Sequence, residues 1–143
     1  MRGLVAAVVT PMNEKGDLNL NLVPKVVDYL ATKGITGIYI AGSTGEGMSL
    51  TDEERREVAE AYVFAAKGRM KSFVQVGHNS LKASADLAGH AEAIGADAVS
   101  ATPTGYFKAS SEAELVEGLL PIAEAAPKTP FYYYHIPFLS GVN

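Results

Sequence analysis

The chain places an apolar run directly before a glycine-flanked pair of hydroxyls at Gly37-Ile38-Tyr39-Ile40-Ala41-Gly42-Ser43-Thr44-Gly45-Glu46. The apolar half predicts a strand, and Thr51-Asp52-Glu53-Glu54 shortly afterwards predicts the start of a helix. At the end of a strand, glycines let the backbone turn tightly and approach a ligand. The adjacent hydroxyls and N–H groups of Ser43 and Thr44 suit a carboxylate or a phosphate. A surface turn whose hydroxyls satisfy backbone groups is the alternative, and the pentapeptide alone does not distinguish the two.

On both sides of this stretch, apolar runs alternate with amphipathic helices. We predict five strands, over residues 4–10, 37–41, 73–77, 98–102 and 131–136. Near-continuous apolar runs of this kind are typical of parallel strands that are buried on both faces. Four helices are predicted between them, one over residues 20–33 and three that begin after the capping residues Thr51, Ser80 and Ser111. Gly34 and Gly95 predict the ends of the first and third helices.

The alternation of strands and helices predicts a parallel sheet with right-handed connections. A doubly wound open sheet and part of a (β/α)₈ barrel are the two architectures that compete. Thr10-Pro11-Met12-Asn13 follows the first strand where a dinucleotide-binding sheet would carry Gly-x-Gly-x-x-Gly. A barrel needs about 250 residues, so we expect residues 1–143 to be an incomplete domain that stops after its fifth strand.

Composition limits the class of protein. The formal net charge of -4 argues against nucleic acid as the main partner, because a phosphate-binding surface needs clustered positive charge. Cysteine is absent, which excludes disulfides and thiolate metal sites. The apolar start of the chain is short and ends at Thr10-Pro11, so we interpret it as a first strand rather than a signal peptide or membrane anchor, and expect a cytoplasmic protein.

In both architectures the functional end is the carboxyl end of the strands. Strand periodicity places Tyr132, Tyr134 and Ile136 on one face of the fifth strand, so Tyr134 can point inward beside the anion loop. A phenol there can donate a proton or a hydrogen bond, and simple core packing is an equal alternative. His78 ends the third strand, but a lone histidine without a placed carboxylate is more often a packing or surface residue.

The remaining ionisable residues favour structural interpretations. We expect His90 to be solvated on a helix, His135 to face the helices, and Lys108 to be a solvated lysine. Glu46 is expected to hold the anion loop by hydrogen bonds, because a carboxylate would repel the ligand. The three histidines are scattered and lack paired carboxylates, so no metal site is predicted.

Taken together, Gly42-Ser43-Thr44-Gly45-Glu46 after the second strand and Tyr134-x-Ile136-Pro137 on the fifth resemble the pyruvate-dependent class I aldolases. This family includes dihydrodipicolinate synthase and N-acetylneuraminate lyase, and the resemblance extends over the whole chain. The segment Tyr134-His135-Ile136-Pro137-Phe138-Leu139-Ser140-Gly141-Val142 lacks the arginine that follows the proline in the synthases, so it is similar to the lyase branch.

The resemblance implies an α/β fold, a (β/α)₈ TIM barrel of which this chain covers strands one to five and helices one to four. It implies that Ser43 and Thr44 bind a substrate carboxylate and that Tyr134 is the catalytic acid/base. The implied reaction is the reversible cleavage of N-acetylneuraminate (sialic acid) to N-acetylmannosamine and pyruvate. It needs no cofactor and no metal, and the implied assembly is a homo-oligomer, a tetramer, with no membrane or nucleic-acid partner.

Two departures from the family pattern follow. The lysine that would form a Schiff base with the keto carbon belongs on a sixth strand, beyond Asn143, so residues 1–143 alone are expected to be inactive. The loop after strand four reads Thr102-Pro103-Thr104-Gly105-Tyr106. Ungapped matching puts Tyr106 on the family's tyrosine that reaches the neighbouring subunit's site, whereas matching on Thr-Pro puts Gly105 there. Another pyruvate aldolase, such as a dihydrodipicolinate synthase, and a non-catalytic half-barrel that binds a carboxylate or a partner are the alternatives.

Overall fold

The computed structural model describes residues 3–142, apart from the side chain of Leu139. Met1, Arg2 and Asn143, which bound the predicted domain, lie outside the described residues. The strands are β1 (Val5–Ala7), β2 (Gly37–Ile40), β3 (Lys71–Gln75), β4 (Ala98–Ala101) and β5 (Phe131–Tyr133). The helices are α1 (Val23–Thr32), α2 (Asp52–Ala66), α3 (Leu81–Ala93), α4 (Glu112–Glu124) and α5 (Pro137–Ser140), with 3₁₀ turns at Leu20–Leu22 and Gly47–Ser49. Within residues 3–142, no helix is long and apolar enough to cross a membrane.

The strands form one sheet in the order β1-β2-β3-β4-β5, and each neighbouring pair is parallel. A doubly wound sheet reverses its strand order near the middle, whereas a barrel keeps the strands in sequence order. The observed order therefore rules out the doubly wound alternative. The described residues form half of a (β/α)₈ barrel, which confirms the predicted fold class.

The two faces of the sheet have different partners. On one face, Ile38 and Ile40 are buried in the core with the helices, including Val58 and Tyr62 of α2. The opposite face carries the alternate residues, and its side chains contact one another across the strands. These cross-strand contacts join Tyr39 to Ser100 and Tyr134, and Phe73 to Tyr132. This second face is the side of the sheet that becomes the barrel interior.

The predicted helix signals are confirmed. Thr51 and Glu54 make both hydrogen bonds of a capping box at the start of α2, which leaves fewer unpaired N–H groups there. Ser80 and Ser111 accept hydrogen bonds from backbone N–H groups at the starts of α3 and α4. Gly34 follows α1 with a φ of 73°, in the left-handed region that favours glycine at a helix end.

Seven of the ten predicted strand ends are wrong, three of them by one residue and four by two or three. β1 stops at Ala7 rather than residue 10, and β3 runs over Lys71–Gln75 rather than 73–77. β5 stops at Tyr133 rather than residue 136, and the chain leaves the sheet before the short helix α5 begins at Pro137. Only the backbone of Tyr134 extends the ladder, donating to the carbonyl oxygen of Ala101 at 2.9 Å.

Candidate active site

The loop after β2 folds back on its own backbone. Its left-handed residues are Ala41 and Glu46, with φ of 55° and 54°, and not its glycines. A Cβ at Gly47 would lie 2.7 Å from the carbonyl carbon of Ala41 and closer still to its oxygen, and one at Gly45 would lie 3.0 Å from the oxygen of Val8. These glycines are therefore needed for close packing of the loop against itself. The sequence suggested instead that they would allow the approach of a ligand.

A buried hydrogen bond ties this loop to the end of the first strand. The hydroxyl of Thr10 donates to the carbonyl oxygen of Gly45 at 2.6 Å. The carboxylate of Glu46, which was expected to hold the loop, is exposed and makes no side-chain hydrogen bond with the part of the chain that the structure describes. The loop is fixed by Thr10 and by backbone bonds such as that from Gly47 N to the oxygen of Gly42, at 3.1 Å.

A cavity of about 320 Å³, here called the sheet-end cavity, lies at the carboxyl ends of the strands. Ser43, Thr44 and Tyr134 all line it, so three of the four predicted site residues meet at one place. The other lining residues are Ala7, Tyr39, Ala41, Gly42, Met48, Gln75, Thr102, Pro103, Gly105, Ile136 and Ser140. None of these lining side chains is charged at neutral pH, and several carry hydroxyl or amide donors.

Two tyrosines meet on the inner wall of the cavity. The rings of Tyr39 and Tyr134 lie 5.3 Å apart, and Tyr134 is 43% exposed. The hydroxyl of Tyr39 donates to the hydroxyl oxygen of Ser100 at 3.0 Å. Burial raises the pKa of Tyr39 to about 12, the Ser100 hydrogen bond opposes this rise, and Tyr134 adds to it. Tyr39 therefore keeps its proton at neutral pH, and Tyr134 is the phenol that remains accessible to a ligand.

Gln75 is a polar lining residue that the sequence did not single out. It is only 5% exposed, and its side-chain oxygen accepts a hydrogen bond from Nη2 of Arg55 at 2.8 Å. Arg55 comes from α2, is 2% exposed, and also donates to the backbone oxygens of Gln75 and Gly77 at 2.8 and 3.0 Å. The signal in the sequence was a single amide inside an apolar strand.

Tyr106 lies outside the sheet-end cavity. It is 79% exposed, and its ring packs against Phe107 with 4.9 Å between centroids. Gly105 lines the cavity instead, held by a hydrogen bond from its N–H to Asn79 Oδ1 at 3.1 Å. A substrate contact of Tyr106 stays a prediction, because the family tyrosine would act on a neighbouring subunit.

The histidines have defined partners. His78 Nδ1 accepts from the N–H of Ser80 at 2.9 Å, and the ring lines a second cavity, of about 330 Å³, together with Lys108. The expectation that His90 is solvated is wrong: its side chain is mostly buried between α2 and α3, and Nε2 lies 2.9 Å from Glu60 Oε1. Across residues 3–142, no group of three His, Asp or Glu side chains could hold a metal ion.

Comparison with known proteins gives the chain its family. The model of the dihydrodipicolinate synthetase family matches residues 1–143. The chain belongs to this family. The matched region contains both the loop at residues 42–46 and Tyr134, which line the same cavity.

Relatives within the dihydrodipicolinate synthetase family share a name. The chain is 45% identical to N-acetylneuraminate lyase of Rattus norvegicus, over 100% of this chain and 45% of that one. It is 48% identical to N-acetylneuraminate lyase A of Xenopus laevis, over 100% of this chain and 48% of that one. The solved N-acetylneuraminate lyase of Proteus mirabilis superposes with a TM-score of 0.96 at 36% identity, over 100% of this chain and 48% of that structure. The chain thus spans about half the length of the curated relatives it matches.

The groups that line the sheet-end cavity suit the binding of a small anion. Hydroxyl and amide donors surround a cavity without acidic side chains, which suits a carboxylate. Tyr134 adds a phenol that could move a proton. No lysine lines the sheet-end cavity as the described residues define it, so this part of the chain offers no amine for a covalent bond to a ketone.

Proposed function

We propose that the protein carrying this chain is a Schiff-base aldolase that reversibly cleaves N-acetylneuraminate to N-acetylmannosamine and pyruvate. Residues 1–143 would be the amino-terminal part of its single barrel domain. The observation that carries the proposal is the convergence of Ser43, Thr44 and Tyr134 on the uncharged sheet-end cavity. The names of the curated relatives described above support the substrate.

In this proposal Ser43 and Thr44 bind the carboxylate that sialic acid and pyruvate share. Both side chains are exposed toward the cavity, and the loop that carries them is fixed by Thr10 and the close-packed glycines. A fixed loop costs little further ordering when the ligand binds, so its hydroxyls and N–H groups are ready for an anion.

Tyr134 is proposed to exchange a proton with the substrate hydroxyl and the reacting carbon. Its backbone is held by the hydrogen bond to Ala101, and its ring rests against Tyr39. Tyr39 is already committed to Ser100 and keeps its proton, so it orients Tyr134 rather than sharing its chemistry. A positioned acid/base group contributes about 10²- to 10⁴-fold to a rate.

The attacking lysine is proposed to lie in a part of the protein outside residues 1–143. The further proposals that follow from the family are a cytoplasmic homotetramer and a contact of Tyr106 with the site of a neighbouring subunit. Neither nucleic acid nor a membrane is a proposed partner. The proposed enzyme acts without a metal or organic cofactor.

A kinetic comparison in the full-length protein tests the two binding hydroxyls. Replacing Ser43 by Ala and Thr44 by Val removes two donors to a charged group. We expect pyruvate affinity to fall by at least roughly a hundredfold, because each such hydrogen bond is worth about 1.5–3 kcal/mol. Ser49→Ala, an exposed serine outside the cavity lining, is the matched control and should bind pyruvate normally. Unchanged pyruvate affinity in the double variant would refute the carboxylate role.

Borohydride trapping tests the Schiff base directly. Reduction in the presence of pyruvate should label one lysine of the full-length protein, located by mass spectrometry outside residues 1–143. Tyr134→Phe should slow cleavage of N-acetylneuraminate by at least about 10²-fold while the label still forms. A stable adduct on any lysine of residues 1–143, or no cleavage of N-acetylneuraminate by the wild type, would contradict the proposal.

A further inference from the structure

We infer that Gln75 is a further substrate-binding residue of the sheet-end cavity, and that Arg55 is the positioning residue that turns its amide N–H groups toward the ligand. The ligand class is a 2-keto acid, and this identity rests on the proposed function. The placement of Arg55 against Gln75 does not depend on that proposal, because it rests on the buried contacts between α2 and the end of β3.

Arg55 is a buried cation with no carboxylate in hydrogen-bond contact among the described residues. Its three hydrogen bonds go to the backbone oxygens of Gly77 and Gln75 and to the side-chain oxygen of Gln75. Its Nε is buried without a hydrogen-bond partner in this part of the chain. Burial lowers the pKa of Arg55 and the nearby charge of Asp52 opposes this, but an arginine stays charged at neutral pH. A buried, unpaired positive charge thus stands directly behind the cavity wall.

This contact fixes which end of the Gln75 amide faces the cavity. A guanidinium has only donors, so the side-chain oxygen must face Arg55 and the nitrogen must face away. The nitrogen lies 3.4 Å from the hydroxyl oxygen of Thr102, another lining residue, at the outer limit of a hydrogen bond. A Cβ on Gly77 would come within 3.0 Å of this nitrogen, so the glycine leaves room for the amide.

The consequence is a donor that is polarised and held before the ligand arrives. An amide has two N–H donors, and the long contact with Thr102 leaves at least one available for a ligand oxygen. Donation from Arg55 to the amide oxygen strengthens the amide's own N–H as a donor, as in other hydrogen-bonded chains. Together with the positive charge of Arg55, this favours an anionic acceptor over a neutral one.

Gln75→Glu separates binding from packing in the full-length protein. The variant has nearly the same shape and keeps an oxygen for Arg55, but it replaces the donor nitrogen by an acceptor and neutralises the buried charge. We expect an unchanged or higher melting temperature and a dissociation constant for pyruvate that rises at least roughly tenfold, the loss of one hydrogen bond to a charged group. Asn79→Asp makes the same amide-to-acid change outside the cavity lining, where Oδ1 keeps its bonds to Gly105 and Tyr106, and should bind pyruvate within about threefold of wild type.

Calorimetric titration with pyruvate measures the dissociation constants of the wild type and both variants. Weaker binding in Gln75→Glu with intact folding and a normal Asn79→Asp supports the inference. Equal binding in Gln75→Glu, equal weakening in Asn79→Asp, or no pyruvate binding by the wild type overturns it. If Gln75→Glu does not fold, Gln75→Met, which lacks any donor, replaces it with the same criteria. A wild type that binds pyruvate yet cleaves no N-acetylneuraminate would refute the proposed function, and the pyruvate affinities of the Gln75 variants would still decide this inference.

Discussion

Replacing Gly47 by alanine is the sharpest test of how the anion loop is built. The added Cβ would lie 2.7 Å from the carbonyl carbon of Ala41, a contact that real Cβ atoms do not make. The neighbour is backbone rather than a flexible side chain, and Ala41 is buried at 3% exposure with a left-handed φ of 55°. The loop therefore has no side-chain rotation that relieves the overlap.

The expected loss of unfolding free energy in Gly47→Ala is at the upper end of the range for substitutions that overpack a site. Inserting a methylene into a well-packed region costs about 1–3 kcal/mol, and occasionally more when the backbone must move. We expect Gly47→Ala to lower the free energy of unfolding by about 3 kcal/mol. On the proposed function it should also weaken pyruvate binding, because Ser43 and Thr44 lie on the segment that has to shift.

Gly118→Ala is the matched control. Gly118 lies inside α4, and a Cβ there would meet nothing within 4 Å. An alanine in a helix interior is more stable than glycine by roughly 0.5–1 kcal/mol, so this variant should be more stable than wild type. Urea unfolding followed by circular dichroism measures both changes on one scale. A Gly47→Ala variant within about 0.5 kcal/mol of wild type would refute the close packing of the loop.

Three further predictions concern the scaffold. Tyr62→Phe removes the donor that reaches the oxygen of Val9 at 2.7 Å, and urea unfolding should show a loss of about 1–2 kcal/mol; an equally stable variant would show that this bond contributes nothing. Burial raises the pKa of Tyr39 and of Tyr62 from 10.0 to about 12, so their contribution is complete below pH 10, and stability should fall as the pH rises towards 12. In urea unfolding at successive pH values, the free energy of unfolding of Tyr62→Phe should fall less steeply with pH than that of the wild type. Identical slopes would contradict the assignment of part of this pH dependence to Tyr62. Thr51→Ala breaks the capping box of α2 and should cost about 1 kcal/mol in urea unfolding, whereas no loss would mean that Glu54 alone caps the helix.

The order of the elements could be predicted because the relevant signals are local. Continuous apolar runs give buried parallel strands, and capping residues such as Thr51 fix helix starts within the same few residues. The ends of the strands could not be predicted, because the hydrophobicity of a segment does not show where its backbone hydrogen bonds to the next strand stop. Helix α5 was missed although Pro137 and Gly141 mark its start and end, because four residues are too few to show a helical period.

The candidate site also contains residues that could be predicted from the sequence and residues that could not. Ser43, Thr44 and Tyr134 follow from the rule that parallel strands present their carboxyl ends at one edge, and the structure brings them to one cavity. Arg55 lies in the charged stretch Asp52-Glu53-Glu54-Arg55-Arg56, which is typical of a solvated helix face. Its burial arises only when α2 packs against the end of β3, a tertiary contact with no local signal.

On the proposed function, the sheet-end cavity binds the acid end of the substrate, and a separate group attacks the ketone. The loop glycines serve the packing of the loop itself. In this proposal, selectivity for an anion therefore comes from the side-chain donors of Ser43 and Thr44 and from the positive charge of Arg55 behind Gln75. A lysine placed among these groups would pair with the carboxylate and hold it as an ion pair. The amine that attacks the keto carbon has to lie beside that carbon, one bond further along the substrate than the carboxylate, where it acts as a nucleophile rather than as an ion-pair partner. On the proposed function, the described lining supplies the groups that bind the acid end of the substrate, and the attacking amine enters from another strand.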